Sequence, residues 1–151
     1  MNLTNPTRAT DRWLESVAAW TLFVTPTHRH AVTLDEAAAI LQRWAQALAR
    51  ELGEHLHLAW AVEEGGMFRR AHSHALIAPW RCPFPIDAAI LERLWREANS
   101  SAGDIEVKPY VRGRGAAGYI MKADRFGYGV LCPRLNECRR RCLAGRSPFS
   151  R

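Results

Sequence analysis

The middle of the sequence reads LHLAWAVE over residues 56–63, EGGMFRR over residues 64–70 and AHSHALIA over residues 71–78. The two outer runs are mostly apolar and have the length of strands, whereas the run between them contains a Gly-Gly pair that suits a tight turn. The sequence therefore predicts two strands that pair as an antiparallel hairpin.

Predicted helices and strands alternate on both sides of this hairpin. Residues 18–25 are aromatic and β-branched and predict a first strand that Pro26 ends. Thr33 and Glu36 form a capping-box pattern that opens a helix reaching to about Leu52, with apolar residues at helical spacing. The remaining predictions are a helix at Asp87–Asn99, a strand at Ile105–Val111 and a helix from Ala116 to about Arg125. Pro109 indicates that this strand lies at a sheet edge or ends early.

This order, β-α-β-β-α-β followed by a helix, is typical of a ferredoxin-like α+β fold. Such a fold has an antiparallel sheet with its helices on one face, and here the added C-terminal helix carries Tyr119. We expect residues 18–131 to form the domain, after an N-terminal segment (1–17) and before a basic, cysteine-containing tail (132–151). The tail cysteines, Cys132, Cys138 and Cys142, lack the usual CxxC spacing; a zinc site there stays open but is not favoured.

The composition points to a polyanionic partner. The chain has 21 Lys and Arg against 15 Asp and Glu, a formal net charge of +6. Such a balance favours nucleic acid, and arginine suits phosphate because its guanidinium binds two oxygens at once. Arg69 and Arg70 in the hairpin turn and Arg112 and Arg114 before the last helix are the candidate contacts. No segment has the length and apolar character of a membrane span or signal peptide, so we expect a cytoplasmic protein that binds no membrane.

Two histidines in the hairpin are candidate metal ligands. His72 and His74 share one face of their strand, because strand side chains alternate. The partner strand ends in Glu63 and Glu64, either of which can bring a carboxylate to the same ion. Two imidazoles and a carboxylate suit Mn²⁺ and, less readily, Mg²⁺. The alternative is that the histidines are ordinary core residues.

The last predicted helix offers a nucleophile. Tyr119 and Lys122 lie one turn apart and share a helix face. Beside a metal-bound phosphate, a phenolate can attack phosphorus, and an ammonium can lower the phenol pKa or stabilise the developing charge. The alternative is that Tyr119 packs the helix on the sheet while Lys122 is solvated.

Together these motifs resemble those of the HUH endonucleases. Within that superfamily the chain is similar to the single-tyrosine replication initiator (Rep) proteins of rolling-circle plasmids and single-stranded DNA phages. The motifs stand in the family's order: WTLFVT at residues 20–25, HSH at residues 72–74 preceded by the acidic pair, and YIMK at residues 119–122. The resemblance covers roughly residues 18–125. It departs from the family at Ser73, where a bulky apolar residue is usual.

The resemblance implies specific roles. Both histidines bind a divalent metal, with Glu63 as the third ligand and Glu64 as its substitute, while Tyr119 is the nucleophile and Lys122 its polar assistant. Position 123 is alanine, so a one-tyrosine enzyme is expected. Such an enzyme nicks single-stranded DNA at an origin or hairpin and keeps the 5′ phosphate on tyrosine. The free 3′ hydroxyl then primes replication, for which a host helicase is a possible partner.

Two rival functions stay open. The single-tyrosine transposases of single-stranded elements share the chemistry but typically carry glutamine where this chain has Lys122. A non-catalytic nucleic-acid-binding domain resembling the RNA-recognition motif has the same element order, although its stacking signature is missing from the third strand.

Overall fold

The computed structural model describes residues 6–52, 56–65, 70–79, 86–123 and 125–131. The predictions made for Arg69 and for the cysteines and basic residues of the tail lie outside these residues. In chain order the elements are α1 (Pro6–Val17), β1 (Leu22–His28), α2 (Leu34–Leu52), β2 (Leu56–Gly65), β3 (Arg70–Pro79), α3 (Ala88–Ala98), β4 (Ala102–Pro109), α4 (Ala116–Met121) and β5 (Arg125–Leu131).

The strands form one open antiparallel sheet in the order β4-β1-β3-β2-β5. The predicted class, α+β with an antiparallel sheet, is confirmed. The hairpin of β2 and β3 pairs without a break from Leu56 opposite Pro79 to Gly65 opposite Arg70. β4, the strand with Pro109 at its end, lies at a sheet edge as predicted.

Two boundaries differ from the prediction. Pro26 does not end the first strand, because β1 continues to His28. Its pairing with β3 runs from Leu22 to Val24, while its pairing with β4 continues past Pro26, where the register shifts. Proline is tolerated at such an irregular position that is paired on one side. The last helix ends at Met121 rather than near Arg125, because Arg125 begins a strand that pairs with Val62.

The helices cover both faces of the sheet, so the expectation that the helices lie on one face is only partly right. α2 and α3 pack on one face around Trp44, Trp95 and the inward side chains of β2 and β3. α1, which was not predicted, and α4 pack on the other face around Leu14 and Ile120. None of the helices in the described part of the chain is both long and apolar enough to span a membrane.

Helix α1 is fastened to the loop that precedes α4. Glu15 Oε1 accepts hydrogen bonds from the Tyr110 hydroxyl (2.8 Å) and from the Gly113 backbone N–H (2.9 Å), and Arg112 Nε lies 3.7 Å from Glu15 Oε2. The Asp11 side chain of α1 also lies against the Gly118 backbone, since a Cβ on Gly118 would lie 2.6 Å from Asp11 Oδ2. The N-terminal helix thus holds α4 in place on the sheet.

Acid should weaken this attachment. The hydrogen bonds from Gly113 and then from Tyr110 hold the pKa of Glu15 below its ordinary value. A carboxyl group with a lowered folded-state pKa stabilises the fold above its unfolded pKa, and that contribution is lost as the pH falls through the folded pKa. When the pH is lowered from about 6 to about 3, the midpoint temperature of unfolding of the parent should therefore fall by about 2 to 4 °C more than that of Glu15→Gln.

The matched control is Glu92→Gln, which removes an exposed carboxylate that pairs with Arg96 within α3. Such surface pairs contribute little to stability. The unfolding temperature of Glu92→Gln should therefore depend on pH as that of the parent does. If Glu15→Gln also follows the parent, the contacts of Glu15 do not stabilise the fold.

Candidate active site

The candidate site lies on the sheet face that α1 and α4 cover. Glu63 in β2 pairs directly with His72 in β3, and Ala61 pairs with His74. Because side chains alternate along each strand, Glu63, His72 and His74 all lie on this face. Glu64 pairs with Ala71 and belongs to the opposite face. The register thus separates the two carboxylates that the sequence left as alternatives.

Glu63 is the centre of the cluster. The hydroxyl of Tyr119 donates a hydrogen bond to Glu63 Oε1 at 2.9 Å, and His74 Nε2 lies 3.4 Å from the same oxygen. The Tyr119 and His74 rings meet edge to face, with centroids 4.7 Å apart. Tyr119 is 46% exposed, so its hydroxyl is next to buried groups and open to a substrate at the same time.

His74 is fixed from several sides. Its ring stacks on Phe23 with centroids 5.8 Å apart and planes 6° from parallel, and its Nδ1 lies 3.3 Å from Thr25 Oγ1. The residue is 6% exposed. Burial is the largest influence on its pKa, which lies below the ordinary value although the charge of Glu63 acts in the other direction. His74 is therefore neutral at physiological pH, the form that binds metals.

His72 lies at the more exposed end of the site. Its imidazole leans over Gly65, so that a Cβ at Gly65 would lie 2.2 Å from His72 Nε2. Glycine is therefore required at this position if the ring is to keep its place. The sequence identified this glycine as a turn residue, whereas in the structure it makes room for a candidate ligand.

The described residues contain no cluster of three His, Cys, Asp or Glu side chains that converge as a metal site. Two of the three predicted ligands nevertheless fit one ion. His74 Nε2 is buried with no hydrogen-bond partner among the described residues, and it faces Glu63 Oε1 at 3.4 Å. Two ligands bound at about 2.1 Å to one ion stand about 3.0 to 3.4 Å apart. His72 lies beside this pair.

The environment of Tyr119 differs from the one expected. Its pKa is raised, first by the hydrogen bond to Glu63, then by burial and by the charge of Glu63. Lys122 is exposed at the end of α4, where its backbone N–H bonds to the Gly118 carbonyl, and its ammonium makes no hydrogen bond or ion pair with the described part of the chain. The carboxylate, rather than the lysine, is the charged group in contact with the phenol.

The candidate phosphate-binding arginines divide into two places. Arg70 pairs with Gly65 and lies beside the site. Arg112 and Arg114 lie in the loop after β4, and strand pairing locates the start of this loop relative to β3. Pro109 at the end of β4 pairs with Leu22 of β1, and Leu22 pairs with Ile77 of β3. Since Ile77 is five residues beyond His72 on β3, this loop begins about 16 Å away along the sheet. A bound strand would have to extend over this distance to contact both places.

Two contacts at this site were not predicted from the sequence. Phe23 and Thr25 both belong to the WTLFVT motif, which was assigned to a strand, and neither residue was given a role. Their alternation along β1, with the buried Val24 between them, was the available signal that both side chains point to the face opposite Val24. That His74 lies against them depends on the register between β1 and β3, which the sequence does not specify.

No protein-family model, curated protein or solved structure matches this chain.

Proposed function

We propose that this protein is a metal-dependent endonuclease and strand transferase of the HUH type, which cleaves single-stranded DNA through a covalent bond to Tyr119. The observation that supports this most is the convergence of Tyr119 Oη and His74 Nε2 on one oxygen of Glu63, at 2.9 and 3.4 Å. A nucleophile, a neutral imidazole and a carboxylate are then in contact, and the side chain of the nucleophile is exposed to a substrate.

The fold is compatible with this proposal. The strand order β4-β1-β3-β2 and the helices that follow β1 and β3 support a ferredoxin-like arrangement, in which α1, α4 and β5 would be additions. We propose that it is a ferredoxin-like domain of the type that the HUH endonucleases use. The placement of Tyr119 on a short helix over the histidine face supports the assignment.

The proposed reaction begins at the phenol. Glu63 Oε1 accepts the hydrogen bond of Tyr119 and is the nearest acceptor for its proton. As the phenolic oxygen bonds to phosphorus, the bond from phosphorus to the 3′ oxygen of the preceding nucleotide breaks, and that oxygen takes a proton from water. The products are a 5′ phosphotyrosine and a 3′ hydroxyl. Attack by a 3′ hydroxyl on the phosphotyrosine reverses these steps and rejoins a strand.

His74 and Glu63, with His72 beside them, are the residues that would hold a divalent ion, Mn²⁺ or Mg²⁺. When bound, it supplies a Lewis acid that polarises the scissile phosphate. His74 contributes a neutral ring nitrogen because burial lowers its pKa. Lys122 and Arg70 are the proposed phosphate contacts nearest the site, and Arg112 and Arg114 are contacts further along the strand.

The rival without catalysis is less well supported. A domain of the RNA-recognition type binds bases on the sheet face that its helices leave open. Here the corresponding face is covered by α1 and α4, and four of its central residues are fully buried: Ala59, Ala61, Leu76 and Ala78. The same proposed chemistry suits two biological settings. One is a replication initiator of a plasmid or phage that acts in the cytoplasm with a host helicase, and the other is a transposase of a single-stranded element.

A covalent-adduct assay tests the proposal. End-labelled single-stranded oligonucleotides, including hairpins, are incubated with the protein and Mn²⁺, and the products are separated under denaturing conditions. We expect a labelled protein band that depends on metal and disappears after protease treatment. A labelled strand that binds with no adduct and no cleavage, across a panel of sequences and metals, would support the binding-only rival.

A further inference from the structure

Phe126 is an exposed aromatic residue on the sheet face that carries the candidate active site. It pairs with Ala61, and Ala61 pairs in turn with His74, so the three residues form one row across β5, β2 and β3. Directly paired residues of antiparallel strands point to the same face. The neighbouring Arg125 agrees with this assignment, because it forms an ion pair with Asp35 of α2 on the opposite face.

The pairing brings Phe126 close to the reactive side chains. Ala61 precedes Glu63 by two residues, about 7 Å along β2, and Phe126 lies one strand, about 5 Å, to the side. The Cα atoms of Phe126 and Glu63 are therefore about 8 to 9 Å apart. Tyr119, which donates its hydrogen bond to Glu63, is 46% exposed, and Phe126 is 36% exposed. One nucleotide, from its phosphate to its base, can span the distance between them.

The surroundings of the ring suit a nucleotide. Lys122 is exposed between Tyr119 and Phe126 in the chain, and Arg70 lies beside the site, so cations are available for a phosphate. The base of the same nucleotide needs a flat apolar surface, and an aromatic ring provides one. Single exposed apolar side chains are common on protein surfaces. Phe126 differs from them because it lies beside an exposed phenol and basic groups.

We propose that Phe126 is the stacking surface for the nucleobase next to the scissile phosphate, and that this contact holds the phosphate beside Tyr119. The inference rests on the proposed function, because it takes single-stranded DNA as the ligand and Tyr119 as the nucleophile. Every base has a flat face, so the contact should accept any of the four bases. Removing an aromatic ring that stacks on one base typically weakens binding by about 5- to 100-fold.

Two variants of Phe126 and one control test the inference. Phe126→Leu keeps an apolar side chain and removes the ring, whereas Phe126→Tyr keeps the ring. The control is Trp13→Leu, which removes an aromatic side chain of α1 that is 48% exposed. Trp13 is two residues from Asp11, which lies against Gly118 of α4, so Trp13 lies on a different side of α1. Circular dichroism and thermal unfolding establish that each variant folds.

The first readout is binding without metal, so that the strand stays intact. Fluorescence anisotropy gives the affinity for a labelled single strand and for a series of strands that each lack one base. Phe126→Leu should bind the complete strand about 5- to 100-fold more weakly than the parent, and Phe126→Tyr and Trp13→Leu should bind like the parent. Loss of the base that stacks should weaken the parent by a similar factor and Phe126→Leu very little, because that variant has already lost the contact.

The second readout is the site of cleavage with Mn²⁺ present. The base whose loss is coupled to Phe126→Leu should adjoin the phosphate that becomes linked to Tyr119. If Phe126→Leu binds like the parent, if the two losses add independently at every position, or if the coupled base lies away from the cleaved phosphate, the inference is wrong. A coupled base without any cleavage or adduct would instead overturn the nuclease function and the placement at a scissile phosphate, and would keep Phe126 as a base-binding residue.

Discussion

Replacing Tyr119 with phenylalanine should abolish the covalent adduct and lower strand cleavage by a factor of about 1,000 or more. The change removes the proposed nucleophilic oxygen and keeps the ring that meets His74 edge to face. Because Tyr119 is nearly half exposed, the fold should be preserved. Binding of single-stranded DNA should change little, since the phosphate contacts remain. The measurements are the adduct assay and fluorescence anisotropy with a labelled oligonucleotide.

Tyr110→Phe is the matched control for this experiment. The Tyr110 hydroxyl donates to Glu15, in the cluster that fastens α1 to the loop before α4. Its loss should lower the thermal stability somewhat and leave adduct formation intact. Peptide mapping of the trapped adduct then locates the nucleotide. A nucleotide on Tyr110 or Tyr128, or an adduct that persists in Tyr119→Phe, would show that Tyr119 is not the nucleophile.

The second large effect is expected at Glu63. Glu63→Gln should reduce metal-dependent cleavage by about 100-fold or more, since the variant loses the proposed anionic ligand and the proposed acceptor for the phenolic proton together. An amide oxygen can still accept the hydrogen bond from Tyr119, so the site should keep its shape. Single-turnover cleavage measured across a Mn²⁺ titration separates the weaker metal binding from the slower chemistry.

Glu64→Gln is the neighbouring control, because the register directs Glu64 to the opposite face of the sheet. It should cleave at close to the parent rate at every metal concentration. A larger loss in Glu64→Gln than in Glu63→Gln would mean that Glu64 is the ligand and that the strand register near the site is shifted by one residue.

The sequence by itself was enough to predict the hairpin and the elements around it. Residues 56–78 contain two apolar runs and a glycine turn, and these local signals predict pairing in antiparallel fashion. The same is true of α2, whose capping box is present: Glu36 accepts hydrogen bonds from the Thr33 backbone N–H and hydroxyl. Alternation along a strand also predicted that His72 and His74 share a face.

The tertiary structure decided what the local pattern left open. The choice between Glu63 and Glu64 depends on the register between β2 and β3, because a shift of one residue exchanges the two faces. The short length of α4 also has a tertiary cause, since Arg125 and Phe126 pair with β2 instead of continuing the helix. Helix α1 has weak sequence signals, and its place is set by Leu14 in the core and by Glu15 on the loop.

The arrangement of the site shows the same division. Residue types and spacing in the sequence named Tyr119 and His74 and left the carboxylate open between Glu63 and Glu64, and only the resemblance to the HUH endonucleases favoured Glu63. The contacts of Thr25 and Phe23 with His74 and the hydrogen bond from Tyr119 to Glu63 join residues that are far apart in the chain. Such contacts form only when strands pair and helices pack, because local propensity carries no information about which distant residues meet.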